Sequence, residues 1–380
     1  MDAAGELTAS VAAPFKQARA MPRSVYTSPE FLERELESLF RREWLCAGRA
    51  SALPDVGDYV AMEIAGDPVM VIRASDRKLR AQSNVCRHRM SVLLEGRGNV
   101  RSIVCPYHAW TYDLDGRLRG APAMGLNEGF ERSAIRLPQI RCEVWNGWIM
   151  VTLNADAAPC AETLAGVDAL VGHYGMEGYV ESFRETHRWN TNWKVLAENF
   201  MESYHLPVCH AGTIGQTVDL NLMTCPEGAP AFNHHWILKD DTMALTLAHP
   251  ANRRLEGQDR RKTYLISIYP ALMITLTPGY FWYISLHPDG PEHVRFLYGG
   301  GLAPEFRDDP GASAHFAALK TLLDEVNEED RGCTERVYRG LRAGLAEPGP
   351  LSHLERPIFD FARWISARIG STGPRVPESP

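Results

Sequence analysis

The chain has 380 residues, a formal net charge of -7, and 45% hydrophobic against 23% charged residues. This is the composition of a globular protein longer than one average domain. An acidic balance argues against a nucleic-acid binder, whose surface must be basic to meet phosphates. No uninterrupted apolar stretch is long enough to span a bilayer, and the opening MDAAGELTASVAAPFKQARAMPRS lacks the basic start and apolar core of a signal peptide. The expectation is a cytoplasmic protein with no membrane partner.

Residues 1–44 read as an N-terminal segment. Within it, 29–43 (PEFLERELESLFRRE) has apolar positions at helical spacing and predicts an amphipathic helix that packs on the second domain. From 45 to 157 short alternating runs such as DYVAMEIAG, DPVMVIRAS and GWIMVTLN are broken by Gly, Asp and Asn, which predicts a small antiparallel β domain. Residues 158–370 carry strand-like runs, a helix around 197, and two long apolar strands, TYLISIYPALMITLT and YFWYISLHP, with VRFLYGGGLAP as a third. Helical patterns at 312–343 and 352–369 complete an α+β domain with helices on an antiparallel sheet. The tail 371–380, STGPRVPESP, is expected to fray. The eight cysteines are spread along the chain and are expected to be mostly buried free thiols rather than a disulfide framework.

Two cysteines stand apart because each has a histidine at a short offset. Cys86 and His88 are separated by one residue, Cys105 and His108 by two, and sixteen residues lie between the pairs. Two thiolates and two imidazoles would suit structural zinc, but a zinc finger groups its cysteines together and its histidines together on a helix. Here each half mixes one of each in a β context, the arrangement needed by a 2Fe–2S centre with cysteines on one iron and histidines on the other.

The second constellation is AENFMESYHLPVCH, residues 197–210. On a continuous helix Glu198, Glu202 and His205 share a face, and Asn199 lies three residues before Glu202. Pro207 disfavours continuing that helix, so the chain can turn and set His210 beside His205. Two imidazoles and one carboxylate with open positions form the facial triad of non-haem Fe(II) oxygenases. Either Glu202 or a distant acid can supply the carboxylate. In LKTLLDEVNEEDRGCTERVYRGL the residues Leu319, Leu323, Val326, Asp330, Cys333 and Val337 recur at steps of three and four. Asp330 thus falls on the expected buried stripe, where a carboxylate is costly unless paired or bound to metal. It is the preferred third ligand; a structural ion pair is its alternative. Asp324, Glu325, Glu328 and Glu329 read as a solvated face.

The pattern C-x-H-(16)-C-P-Y-H-x-W closely resembles the Rieske cluster motif, with Ala109 in place of the usual glycine, a change read as a small addition of bulk. N-x2-E-x2-H-x4-H with a distant E-D pair resembles the mononuclear iron site of Rieske oxygenase α subunits, and the likeness runs from about residue 24 to 369. The resemblance implies an all-β Rieske domain and a helix-grip (START-like) catalytic domain. It assigns Cys86, His88, Cys105 and His108 to one 2Fe–2S cluster, and His205, His210 and Asp330 to one mononuclear Fe(II). Glu202 and Asn199 become the candidate catalytic residues. Glu202 stands where the family usually has Asp, bridging His205 to His108 of a neighbouring subunit, and the longer acid resembles the branch acting on quaternary amines. Also implied are a homotrimer and O2 as co-substrate. No G-x-G-x-x-G fingerprint or flavin pattern is present, so NAD(P)H must act through a partner, a flavin and iron–sulfur reductase.

The substrate is expected to be a small N-methylated or quaternary amine, with an aromatic acid or other arene as the alternative. Tyr280, Phe281, Trp282, Tyr283, Tyr264, Tyr269 and Trp236 are candidates for an aromatic cage around a cation, but for most of them an alternating strand in a sheet core is the preferred reading. His234 and His235 are further cavity candidates with a structural role as the preferred reading, and Arg253, Arg254, Arg260 and Arg261 could pair a carboxylate but are expected to be solvated. Two other classes compete: a Rieske electron-transfer protein without catalysis, which the His205, His210, Asp330 set disfavours, and a lipid-binding helix-grip module with structural zinc.

Overall fold

The computed structural model describes residues 1–215, 218–238, 246–307 and 309–370. The tail expected to fray lies outside them. The chain divides into two compact units, one Phe40–Glu162 and the other Met1–Leu39 with Thr163–Pro380.

The smaller unit is built from strands. These are β1 (Leu45–Arg49), β2 (Asp58–Ile64), β3 (Asp67–Arg73), β4 (Leu79–Ser83), β5 (Arg97–Asn99), β6 (Ile103–Val104), β7 (Thr111–Tyr112), β8 (Leu118–Gly120), β9 (Gln139–Trp145) and β10 (Trp148–Thr152). Seven of them form one sheet in the order β1-β10-β9-β4-β3-β2-β5, and β6-β7-β8 form a second. Met70, Ile72, Ile103, Trp110, Tyr112 and Leu137 belong to one buried cluster that also holds Cys86 and Cys105. The core therefore anchors the two loops that carry the Cys-x-His pairs.

The larger unit has a seven-stranded antiparallel sheet, β11-β17-β16-β15-β14-β13-β12. Its strands are β11 (Val180–Trp189), β12 (Met223–Thr224), β13 (Phe232–Leu238), β14 (Lys262–Ile268), β15 (Leu272–Leu276), β16 (Tyr280–Pro288) and β17 (Val294–Leu302). The run TYLISIYPALMITLT, expected as one strand, is two. It reverses at Tyr269-Pro270-Ala271, with a cis Tyr269–Pro270 bond. Hydropathy is unbroken across the turn, and the proline was its one local mark.

Four helices matter here: α1 (Pro29–Glu35), α2 (Trp193–Met201), α3 (Ala312–Leu341) and α4 (Arg356–Gly370). α1 starts at Ser28, whose hydroxyl accepts from the Phe31 N–H, and passes into a π turn over Leu36–Phe40. α2 starts at Asn192, whose side chain accepts from the Lys194 N–H, and buries nearly every residue. Inside this unit Lys194 reaches Glu35 of α1 at 2.8 Å with both side chains fully buried.

The expected apolar stripe of α3 is displaced. Leu319 and Val326 are buried, but so are Asn327, Thr334 and Tyr338, while Val337 is 53% exposed and Cys333 only half-buried. Beyond Val326 the buried face advances in steps of four, one residue later than the sequence spacing suggested.

Candidate active site

Each Cys-x-His pair sits on a loop of the same construction. The Cys86 N–H donates to the Ser91 carbonyl and the Cys105 N–H to the Trp110 carbonyl, both at 2.8 Å. The cysteine carbonyls accept from Met90 and Ala109, at 3.1 and 3.0 Å. Met90 and Ala109 close these turns at φ 53 and 56, the left-handed region that favours glycine. The glycine preference at position 109 is therefore conformational, not a matter of bulk as first read.

Both thiols are buried, while His88 and His108 are exposed with ring centroids 4.8 Å apart. His88 stacks on Trp110 at 4.7 Å. Among the described residues, the one group of three or more histidines, cysteines and acids whose donor atoms all lie within 4.8 Å of one another is His205, His210 and Asp330. A sulfur pair inside and an imidazole pair outside fit two bridged irons better than one tetrahedral zinc.

In the larger unit the stretch 197–210 is not one helix. α2 ends at Met201, and Glu202 is extended at φ -135, ψ 159. A separate one-turn helix, Leu206–Cys209, begins at His205 with Pro207 in its first turn and ends at His210. Proline fits there because a first-turn N–H has no helical partner to lose. Glu198 does not join the site: it is half-buried, and both its oxygens accept from the Tyr26 hydroxyl, at 2.8 and 2.9 Å.

The turn brings the imidazoles together. His205 Nε2 and His210 Nε2 are 3.3 Å apart, and Asp330 Oδ1 lies 3.5 Å from the first and 3.2 Å from the second. Edges of that length fit one face of a coordination polyhedron with bonds of about 2.0–2.2 Å. Every vertex has an outer partner. Glu202 Oε1 accepts from His205 Nδ1 at 2.5 Å, Glu329 Oε2 accepts from His210 Nδ1 at 2.8 Å, and the Asn199 amide donates to Asp330 Oδ1 at 2.8 Å. Each Nε2 is thereby left as the donor atom toward a metal. Burial pushes the His205 imidazole down, but its bonds to Asp330 and Glu202 outweigh that and raise it to about 10. Asp330 is pushed up by burial yet held at about 2 by the two imidazoles. A metal entering this triangle displaces a proton.

Glu329 was expected on a solvated face. It is instead half-buried and also accepts from the Thr213 hydroxyl at 2.6 Å. No local pattern marks it, because its partners are more than a hundred residues away. Cys209 and Cys333, expected as free thiols, form a disulfide across a separation of 124 residues, joining the segment beside His210 to α3.

The triad opens on a cavity of about 1050 Å3, counting its solvent-open part. Alternate residues of four adjacent strands face it: Ile237 of β13, Thr263 and Leu265 of β14, Thr275 of β15, and Tyr280, Trp282 and Ile284 of β16. α2 contributes Leu196, Asn199 and Phe200, and α3 contributes Leu319, Leu322, Leu323, Val326 and Asn327.

Alternation removes most of the expected cage. Phe281 packs on Tyr179, and Tyr283 donates to Glu181. Tyr269 packs on Trp364, Tyr264 on Tyr174, and Lys262 covers Trp236. Neither His234 nor His235 lines the cavity. His235 is buried against Ser203, 2.8 Å away, and desolvation holds it down to about 3. Nor do the four arginines line it: Arg254 pairs with Glu305, and Arg260 donates to the Asn252 and Leu255 carbonyls.

Residues 176–371 match the ring-hydroxylating alpha subunit catalytic domain, and residues 43–131 match the Rieske [2Fe-2S] domain. The glycine betaine monooxygenase oxygenase subunit of Pseudomonas aeruginosa is 26% identical, over 92% of this chain and 89% of its own length. Putrescine 2-hydroxylase of Ralstonia nicotianae is 29% identical, over 90% of this chain and 94% of its own. Among solved structures, the quaternary ammonium Rieske monooxygenase CntA superposes with a TM-score of 0.81 at 24% identity, covering 94% of this chain and 97% of that one.

Proposed function

The chain belongs to the ring-hydroxylating α-subunit family, and from that membership we propose that it is the oxygenase component of a Rieske system that oxidises a C–H bond of an N-methylated or quaternary amine. The observation that carries the reading is the His205, His210, Asp330 triangle at the edge of an apolar cavity. A chain that only transferred electrons would need neither.

Cys86, His88, Cys105 and His108 would hold the 2Fe–2S cluster, and His205, His210 and Asp330 the iron. When bound, the cluster supplies electrons and the iron supplies O2 activation at its open positions. The chain's own residues do the rest. Glu202 and Glu329 fix the orientation and tautomer of the two imidazoles, and Asn199 fixes Asp330. The apolar walls exclude water from the reacting bond.

Trp282, Phe200 and Tyr280 offer aromatic faces to a cation. No lysine or arginine is among the described residues that line the cavity. Two of the named relatives act, by their names, on the amines glycine betaine and putrescine, which supports the amine reading. A separate flavin and iron–sulfur reductase using NAD(P)H, a homotrimer that brings His108 to the Glu202 of a neighbour, and a cytoplasmic setting complete the proposal.

The test is a single turnover. Holoprotein is chemically reduced, mixed with O2 and a panel of N-methylated amines and aromatic acids, and products are read by mass spectrometry with a formaldehyde assay. Formaldehyde with a demethylated amine, or a hydroxylated amine, supports the proposal. A hydroxylated ring with untouched amines overturns it.

A further inference from the structure

Asn327 is a polar side chain set in an apolar wall with nothing to bond. It lines the cavity, is 9% exposed, and makes no hydrogen bond to any described residue. Several of its polar neighbours are spent or sealed. Asn199 donates to Asp330, Ser203 lies 2.8 Å from His235, and Glu202 holds His205. The Thr263 and Thr275 hydroxyls also lack a partner, but they are closed off inside the sheet. The Asn327 amide is not closed off in that way and opens on the cavity. A desolvated amide without a partner is costly, so the position calls for a ligand group that completes it.

The place of Asn327 on α3 selects that group. It precedes Asp330 by three residues, so the two Cβ atoms are about 5–6 Å apart. Both side chains line the cavity, and Val326 and Leu323 continue the wall away from the triad. The carbon to be oxidised must lie against the His205, His210, Asp330 triangle. In an N-methylated amine the nitrogen is bonded directly to that carbon. The nitrogen is therefore the polar atom of the substrate that comes within reach of Asn327, while groups farther along the substrate lie several bonds away. A quaternary nitrogen carries four carbons and no hydrogen, and leaves the amide unpaired. A secondary or tertiary amine, protonated at neutral pH, carries an N–H that the Asn327 side-chain oxygen can accept.

We propose that Asn327 is a specificity residue that accepts a hydrogen bond from the substrate's ammonium N–H, and that the preferred substrate is a secondary or tertiary N-methylated amine, not a quaternary one. This rests on the amine reading above and narrows it.

The experiment is isothermal titration calorimetry on the anaerobic holoprotein at neutral pH with two cations of one skeleton, N,N-dimethylbutylamine and butyltrimethylammonium. They differ by a methyl group in place of the N–H. The dimethyl compound is expected to bind about tenfold tighter, the factor that a hydrogen bond to a charged group supplies. In Asn327→Leu, which keeps the volume without the amide, that preference disappears, because the dimethyl compound weakens to the level of the trimethyl one. The trimethyl compound binds the variant at least as well as the wild type, which serves as the check on folding. Asn327→Ala is the second variant, for the case that leucine is not accommodated. Equal or tighter binding of the trimethyl compound by the wild type, or a dimethyl preference that survives the loss of the amide, overturns the inference. If neither cation binds the wild type, the amine reading itself fails and the inference falls with it.

Discussion

Glu202 grips His205 twice: Oε1 accepts from the imidazole Nδ1 at 2.5 Å and Oε2 from the backbone N–H at 3.0 Å. The acid is clamped by a turn, not by a helix face, and it fixes both the ring and the chain that carries it. Glu202→Gln keeps an amide oxygen for one of these bonds but loses the charge. Both metals should stay bound, while cluster-to-iron electron transfer slows by about 10-fold or more. Stopped-flow oxidation of the reduced cluster reads this, and an unchanged rate would sink the bridging role.

Asp330→Ala removes one vertex of the triangle. Iron content should fall by one atom per chain, with the cluster's visible absorption unchanged. Metal analysis beside an absorption spectrum separates the two centres. Retention of that iron would mean another acid is the third ligand.

Glu329 is the corresponding support for His210. Glu329→Ala should weaken the mononuclear iron by about 10–100-fold, the usual effect of losing an outer hydrogen-bond partner. Competition with a chelator measures it. An unaltered affinity would return Glu329 to the surface role its sequence neighbours suggest.

Ala109 sits at φ 56. Left-handed backbone costs a non-glycine residue about 1–2 kcal/mol, part of which glycine gives back in chain entropy. Ala109→Gly should therefore stabilise the folded smaller unit by about 1 kcal/mol, seen as a raised denaturation midpoint with the same cluster spectrum. Equal or lower stability would show that the turn tolerates alanine without strain.

Glu198 gives the pH signature. Burial pushes its carboxyl up to about 8, with Tyr26 and Lys194 opposing. The folded chain then holds a proton that the unfolded chain releases near 4.5. Stability from this group is fully present below about 4.5 and is lost as pH rises toward 8. Glu198→Gln should flatten denaturant midpoints across that window. A slope equal to that of the wild type would show that Glu198 is ionised throughout.

What was legible in the sequence was local or chemically costly. The Cys-x-His pairs lie within single loops, so their spacing survives folding unchanged. Asp330 was legible because a carboxylate inside an apolar stripe needs a reason. Glu329 was not, since its burial depends on His210 arriving from 119 positions away. Glu198 was misread because the helix that would align it with His205 stops at Met201. In the aromatic run Tyr280 to Tyr283 the two-residue period of a strand sends Phe281 and Tyr283 to the opposite face, in line with the alternating sheet-core reading preferred for most of these residues. The disulfide between Cys209 and Cys333 links two segments whose approach no short pattern encodes.

The origin of the cavity's two sides has an evolutionary consequence. The residues that would hold iron come from the two ends of a single turn and from α3, while the floor comes from every second residue of four neighbouring strands. Ile237, Leu265 and Ile284 can therefore change without disturbing a ligand. Chemistry and recognition can drift independently, so a lineage of such chains can keep one reaction while it samples new substrates. The same separation offers an engineer a short set of sheet positions to vary, with the reactive centre left as found.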